Sequence, residues 1–335
     1  MNNALNTTKT ALVLGATGGI GGEMARKLQV RGWTVRALHR NAGNMAARQG
    51  IDKFNWIQGD AMQRADVVAA ARDVDLIVHA VNPPGYQRWA ELVLPMIDNS
   101  IAAAQDFGAR ILLPGTVYNY GPDALPNLSE NSLQRPVTRK GAIRVELERR
   151  LQSASDDGVR SLIVRAGDFF GPQAGNNWFS QGLLKPGKMP TSITNPGKPG
   201  LGHQWTYLPD LAETMMRLIE REDALDKFAT FHMHGHWDAD GMQMINAIRR
   251  AVGNTALPVR SFPWWLVTPA SPFVPLFKEM KEMRYLWQQP VRMSNQRLLQ
   301  VLGEEPHTPL DEAVRATLEG LGCLPASKLH NVAMV

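Results

Sequence analysis

Three glycines, Gly15, Gly18 and Gly21, stand three residues apart in "LGATGGIGG", after the apolar run "TALVLG" and before a helical pattern. In that context the first glycine permits a tight turn out of a strand. The second lets the backbone approach a pyrophosphate, and the third lets helix and strand pack closely. The amides that open the helix then face phosphate oxygens. Gly15, Thr17, Gly18, Gly19, Ile20 and Gly21 are therefore candidate contacts to a dinucleotide; the plainer alternative is a turn with no ligand. The residue closing the second strand selects the cofactor, because an acid suits a free ribose 2′-hydroxyl and a cation suits a 2′-phosphate. Here "WTVRALHR" ends at Arg40, nineteen residues beyond Gly21, with no Asp or Glu nearby. A guanidinium grips phosphate through a forked, charge-assisted contact. NADP(H) is the expected cofactor, unless Arg40 is an ordinary solvated arginine.

A second group of ionisable residues lies in "RPVTRKGAIRVELERRL", residues 135–151. Lys140, Arg144 and Glu148 recur every four residues and so share one helix face. A permanent cation one turn away and burial both favour a neutral amine, and a lysine tuned to about 7–8 is a useful acid/base. Glu148 works against this by holding Arg144. Thr116, Tyr118 and Tyr120 cluster at the end of "ARILLPGTV", and Asp168 follows "VRSLIVRAGD". Their plainer readings are a strand-end threonine, packed tyrosines and a turn-capping aspartate. His232 and His234 of "FHMHGH" would share one face of a strand, with His236 beyond, but no carboxylate cluster accompanies them and no metal site is expected. The single cysteine, Cys323, excludes an internal disulfide and a multi-cysteine metal site.

Positioning these groups requires alternating strands and helices. Strands are expected at 10–15, 33–40, 54–60, 74–81, 109–117 and 159–168, and helices at about 19–30 and 87–107 and across the stretch containing Lys140. The strands are continuous apolar runs, as buried parallel strands should be. Such spacing implies right-handed crossovers and an α/β fold: a doubly wound parallel (Rossmann) sheet with a smaller C-terminal substrate lobe. After residue 170, loop-like stretches rich in Gly, Pro and Asn include "GPQAGNN". A helix at about 209–222 and a strand at 228–235 return to the sheet. The expected dinucleotide-binding domain is 8–170, completed by 204–235; the lobe is 171–203 and 236–325. "NPPGY" (82–86) and "GNNW" (175–178) resemble polar substrate-lobe loops. The tryptophan-rich "PWWLV" and methionine-rich "KEMKEMRYLW" line a pocket, cover a dimer surface or, more plainly, pack in the core.

The chain has 335 residues, 44% of them apolar, enough for a sizeable core. Its net charge of +5, from 36 basic and 31 acidic residues, is mild and the basic residues are dispersed rather than striped, so a nucleic-acid partner is not expected. No run reaches the ~18 apolar residues of a membrane span, and the N-terminus lacks a secretion signal. A cytoplasmic protein with a small-molecule substrate and no membrane partner is the expectation.

"GATGGIGG", "GD" at 59–60, "HAVNPP", "GTVYNYG", "RAGDFFGP" and "QWTYLPDLAET" together resemble the extended and atypical short-chain dehydrogenase/reductase superfamily over roughly residues 10–330. The resemblance implies that Asp60 and Ala61 flank the adenine, that Ala80 and Val81 lie along the cofactor, and that the segment after Arg165, with Asp168, lies beside the nicotinamide. It assigns Thr116 a hydrogen bond to the reacting oxygen. It also implies a homodimer.

The resemblance breaks at the catalytic helix. Aligning "ELERRL" puts Lys140 where the family keeps its tyrosine and Arg144 where it keeps its lysine. "KGAIRVELE" is similar to the lysine helix of isoflavone-reductase-like NADPH-dependent reductases, in which lysine is the proposed acid/base. Lys140 is thus read as a catalytic group, against a phosphate ligand or a solvated helix residue, and Tyr118 is the reserve acid. The leading expectation is an NADP(H)-dependent reductase of a small carbonyl or enone. The alternatives are a nucleotide-sugar epimerase or dehydratase, and a non-catalytic NADP-responsive regulator like the NmrA-type proteins.

Overall fold

The first apolar run forms strand β1 (Thr10–Leu14), in which Ala11, Leu12 and Val13 are wholly buried. Parallel neighbours cover both of its edges: β2 (Thr34–His39) on one side and β4 (Leu76–His79) on the other. The computed structural model describes residues 8–48, 54–83, 88–175 and 177–326. The remaining strands in chain order are β3 (Asn55–Gln58), β5 (Arg110–Thr116), β6 (Asn127–Leu128), β7 (Arg160–Ala166), β8 (Asp168–Phe170), β9 (Ile193–Asn195), β10 (His203–Tyr207), β11 (Phe228–His232), β12 (His236–Asp238), β13 (Val259–Ser261) and β14 (Arg292–Met293). The helices are α1 (Gly19–Val30), α2 (Ala42–Ala47), α3 (Arg64–Ala70), α4 (Trp89–Phe107), α5 (Arg139–Asp156), α6 (Leu208–Ile219), α7 (Gln243–Val252), α8 (Trp264–Ala270), α9 (Pro275–Glu282), α10 (Gln296–Leu302) and α11 (Leu310–Gly320).

Two compact units result. The first contains Met1–Gly115, Ile143–Val164 and Ala212–Phe231; the second contains Thr116–Ala142, Arg165–Leu211 and His232–Val335. The expected division kept 116–142 in the dinucleotide-binding domain, whereas here that segment groups with the second unit. The boundary runs through α5, between Lys140 and Arg144.

The seven-stranded sheet has the order β11-β7-β5-β4-β1-β2-β3, the doubly wound Rossmann-like arrangement expected from the sequence. Strand order reverses at β1, so the switch point lies between the carboxyl ends of β1 and β4. Ligands of open α/β sheets bind at such a point. Leu12, Leu14, Ile77 and Ile111 of the strands pack with Val93 and Ile97 of α4 and Leu147 and Leu151 of α5 in the first unit's core. Helix α4 ends at Gly108, whose φ of 71° forms a left-handed cap.

The second unit holds the expected lobe segments, 171–203 and 236–325, together with 116–142, 165–170, 204–211 and 232–235, which the sequence reading placed with the dinucleotide-binding domain. Strand β10 pairs parallel with β8 and antiparallel with β12 to make a three-stranded sheet. The stretch 228–235 is not one strand: β11 stops at His232, Gly235 turns with a φ of 56°, and β12 joins the smaller sheet. His232 and His234 therefore do not share a strand face. Helix α6 spans Leu208–Ile219 rather than 209–222. Phe170, Phe179, Trp205 and Ile248 centre this unit's main core. Cys323 is a buried free thiol.

Candidate active site

The glycine loop in the first unit has the close packing that its spacing requires. Gly15 has a φ of 93°, and a Cβ there would lie 2.6 Å from the Ala80 carbonyl oxygen. A Cβ on Gly21 would lie 2.2 Å from the Gly15 carbonyl oxygen. Any side chain at either position would displace backbone, so β1, α1 and the end of β4 meet only because these residues are glycine. Ala80 N–H donates to Leu14 O at 3.0 Å, which ties β4 to the loop. Helix α1 begins after Gly18 with no side-chain cap and no acidic residue in its first turn. Its leading amides and dipole are thus suited to phosphate oxygens. Thr17 and Gly18 are exposed, Ala80 and Val81 half-buried. These features fit a dinucleotide pyrophosphate.

Arg40 follows β2 and is exposed. Its backbone is held from β3: Gln58 Nε2 donates to Arg40 O at 2.5 Å, while Gln58 Oε1 accepts from Ala42 N at 3.1 Å. Among the described residues its guanidinium makes no ion pair. Asp60 Oδ1 accepts from Met62 N at 3.0 Å, and Asp60 N donates to Asp66 Oδ2 at 2.8 Å. Asn99 Nδ2 donates to Ala61 O at 2.9 Å. The segment expected beside an adenine is thus a braced turn.

The end of β4 carries groups that the sequence reading did not single out. His79 is buried, its Nδ1 2.9 Å from Ser100 Oγ. Burial, and then the Arg144 charge, lower its pKa to about 3, so the ring is neutral. Arg144 is itself buried; it donates from Nη2 to Asn82 Oδ1 at 2.8 Å, and its guanidinium lies 5.1 Å from the Trp89 ring centre. Residues 84–86 of "NPPGY" lie outside the described residues, as does residue 176 of "GNNW".

The second unit holds the other candidates. Thr116 ends β5, and its Oγ1 accepts from Tyr118 N at 3.3 Å. The next helix starts against this turn. A Cβ on Gly141 would stand 2.2 Å from the Tyr118 carbonyl oxygen, so the residue after Lys140 touches the backbone two residues past Thr116. Lys140 is 4% exposed, and its backbone N–H donates to Glu282 Oε1 at 3.0 Å.

Tyr120 does not serve as an open phenol. It is wholly buried, with its hydroxyl 2.8 Å from His232 Nε2 and accepting from Arg165 Nη1 at 2.8 Å. The phenol therefore directs its proton to His232 Nε2, leaving the ring's proton on Nδ1. Burial and the Arg165 charge lower the His232 pKa to about 3. Tyr120, His232 and Arg165 thus form a buried hydrogen-bonded triad; among the described residues no group of three or more His, Cys, Asp or Glu could hold a metal ion.

Asp168 follows β7 and pairs with His203 Nε2 at 2.8 Å; the His203 ring stacks on Trp287 with centres 3.8 Å apart. Tyr285 donates its hydroxyl to Tyr120 O at 3.0 Å. Burial, followed by the charges of Asp168 and Glu282, raises its pKa. His203 was not singled out, and Glu282, Tyr285 and Trp287 of "KEMKEMRYLW" were read only as pocket lining, dimer surface or core without individual roles, because they come from distant segments with no spacing motif.

A family model described as the NAD dependent epimerase/dehydratase family matches residues 11–233, two thirds of the chain. The protein belongs to the NAD-dependent epimerase/dehydratase family. Solved structures from this epimerase/dehydratase group share its fold at low identity. UDP-glucose 4-epimerase from Thermotoga maritima, with UDP-glucose, is 14% identical with a TM-score of 0.71, covering 93% of this chain and 98% of its own. UDP-glucuronic acid 4-epimerase from Bacillus cereus, with UDP-glucuronic acid and NAD, is 15% identical with a TM-score of 0.69 over the same shares. A protein of Burkholderia cenocepacia J2315, itself only assigned as an epimerase, is 18% identical with a TM-score of 0.71, covering 95% and 99%. No individual curated protein sequence matches the chain significantly.

Proposed function

We propose that this epimerase/dehydratase family member is a dinucleotide-dependent hydride-transfer enzyme in which Lys140 takes the proton-transfer role of the missing tyrosine. The observation that carries it is the packing of Gly141 on the Tyr118 carbonyl, which sets the buried Lys140 at the turn following Thr116. When bound, the nicotinamide supplies or accepts a hydride. Thr116 orients the reacting oxygen through its hydroxyl. Lys140 Nζ takes the hydroxyl proton when an alcohol carbon is oxidised, and returns it when a carbonyl is reduced. The uncapped amides of α1 hold the pyrophosphate, Asp60 and Ala61 flank the adenine, and Arg40 holds a 2′-phosphate.

For the substrate, the family and its UDP-sugar-binding structural neighbours favour a nucleotide-linked sugar, oxidised at an alcohol carbon and reduced again from the other face. The exposed Arg40, with no acid partner among the described residues, favours a second reading: net NADPH-dependent reduction of a small carbonyl or enone. One experiment separates them. The protein is incubated with a panel of UDP-sugars and with a panel of carbonyls plus NADPH, following epimers by NMR and NADPH by absorbance. New sugar epimers establish the first reading and NADPH consumption the second. Tight NADPH binding without turnover on either panel rejects both in favour of a sensor.

A further inference from the structure

The second unit carries an apolar surface that the proposed chemistry does not use. Helix α8 turns Val267 inward, 1% exposed, and anchors Trp264 by donation from its Nε1 to Pro196 O at 2.9 Å. The Trp264 ring also packs against Phe262 and Trp178. The outer side presents Trp265, 79% exposed, and Leu266, 46% exposed. Immediately beyond, Phe273 is 85% and Val274 37% exposed. Both donate their backbone N–H to Ala270 O, at 3.0 and 3.1 Å, so a hydrogen-bonded turn holds them out. Pro269, Pro272 and Pro275 restrict the backbone further. Four large apolar side chains within ten residues, presented from a braced turn, form the kind of patch that marks an interaction site.

Charge indicates the partner. Residues 241–303 contain eight Lys or Arg and only two acids, Glu279 and Glu282; the other 28 cations and 29 acids lie outside. The chain's excess positive charge is therefore confined to the segment that carries the patch. Several of these cations are engaged: Arg250 pairs with Asp311, Arg249 donates to Leu257 O, and Arg284 lies over Trp264. Arg260, Lys278 and Lys281 are exposed and form no ion pair among the described residues. An apolar patch flanked by free cations complements a surface that is anionic outside and apolar within. A symmetric contact with a second copy through this patch would gather both copies' three cations around one interface, and like charges so gathered repel.

We infer that α8 and the α8–α9 turn dock on an anionic lipid bilayer, with Trp265 and Phe273 entering the interface and Lys278 and Lys281 meeting headgroup phosphates. Among the described residues no helix is long and apolar enough to cross a membrane, so the contact is peripheral. This departs from the sequence expectation of no membrane partner, which looked only for spans and signals.

Co-sedimentation of the full chain tests the inference, using vesicles of phosphatidylcholine alone and of phosphatidylcholine mixed with phosphatidylglycerol. The protein should bind the mixed vesicles, bind the neutral ones far less, and be released by salt. Lys278→Gln with Lys281→Gln should weaken binding roughly 30-fold, at ~1 kcal/mol per cation near the surface. Trp265→Ser with Phe273→Ser should abolish it, and all variants should bind NADPH as the parent does, which reports that they fold. No binding to mixed vesicles, or binding unchanged by the substitutions, overturns the inference. So does a dimer in sedimentation velocity that Trp265→Ser with Phe273→Ser dissociates, since that assigns the patch to a second copy.

Discussion

Gly141 lies so close to Tyr118 that a Cβ would stand 2.2 Å from the Tyr118 carbonyl oxygen. The neighbouring atom is backbone, which cannot swing aside as a flexible side-chain tip would. Gly141→Ala should therefore push the first turn of α5 off the Thr116–Tyr118 turn, at a cost of about 1–3 kcal/mol. Turnover should fall while NADPH affinity stays near the parental value, because the glycine loop and Arg40 belong to the other unit. A variant with unchanged turnover would remove the argument for placing Lys140 at the reacting oxygen.

Lys140→Met retains the length and bulk of the side chain and removes the ionisable group. General acid–base groups contribute about 10²–10⁴-fold, so kcat should drop by that order while the substrate KM and cofactor Kd change little. Lys140→Arg should not rescue it, because a guanidinium does not release its proton. Turnover that survives both substitutions would shift the proton-transfer role to Tyr118.

Arg40 sits in a turn whose backbone Gln58 braces, and its exposed guanidinium makes no ion pair among the described residues. Charge-assisted hydrogen bonds contribute about 1.5–3 kcal/mol. Arg40→Ala should weaken NADPH binding roughly tenfold to a hundredfold and leave NADH almost untouched. Calorimetric titration with both cofactors checks this; equal losses would make Arg40 an ordinary surface residue and NAD the cofactor.

Local signals in the sequence carried the sheet and the glycine loop, since continuous apolar runs and glycine spacing are properties of a few adjacent residues. The environment of the candidate site was not readable in that way. Lys140 meets a carboxylate 142 residues further on, and Asp168 pairs with a histidine 35 residues away. Either phenol, Tyr118 or Tyr120, could reach a cleft on the sequence alone, with Tyr118 read as the reserve acid; Tyr120 is committed to His232 and Arg165, groups that only the folded second unit brings to it. The histidine alternation of "FHMHGH" suggested one strand because periodicity does not register a turn at Gly235.

Glu222 offers a stability test in the first unit. It receives Arg110 Nε at 2.8 Å and Arg160 Nη1 at 2.7 Å, and Arg110 is 3% exposed. Burial lowers the Arg110 pKa, and the Glu222 charge opposes that fall. Glu222→Gln leaves the buried guanidinium without its counter-charge, which costs 3–5 kcal/mol where both partners are fully buried. Glu222 is 31% exposed, so solvent screening reduces the expected loss to about 1–2 kcal/mol. Arg160→Ala, at the 42%-exposed partner, should cost far less. Urea denaturation of both variants checks the order; a larger loss from Arg160→Ala would contradict it.

Buried neutral histidines set the acid limit. His79 and His232 have their pKa values lowered from 6.5 to about 3, mainly by burial. Between those two values the unfolded chain binds protons that the folded chain does not, so stability falls as pH falls. Above 6.5 both states are deprotonated and the full contribution is present; it is lost progressively from 6.5 down to about 3. Each histidine steepens the decline by up to ~1.4 kcal/mol per pH unit. Urea midpoints measured between neutral and mildly acidic pH should drop steadily, while His79→Gln should start lower at neutral pH and show a shallower slope. An identical slope in that variant would mean that His79 takes up its proton in the folded state as readily as in the unfolded one.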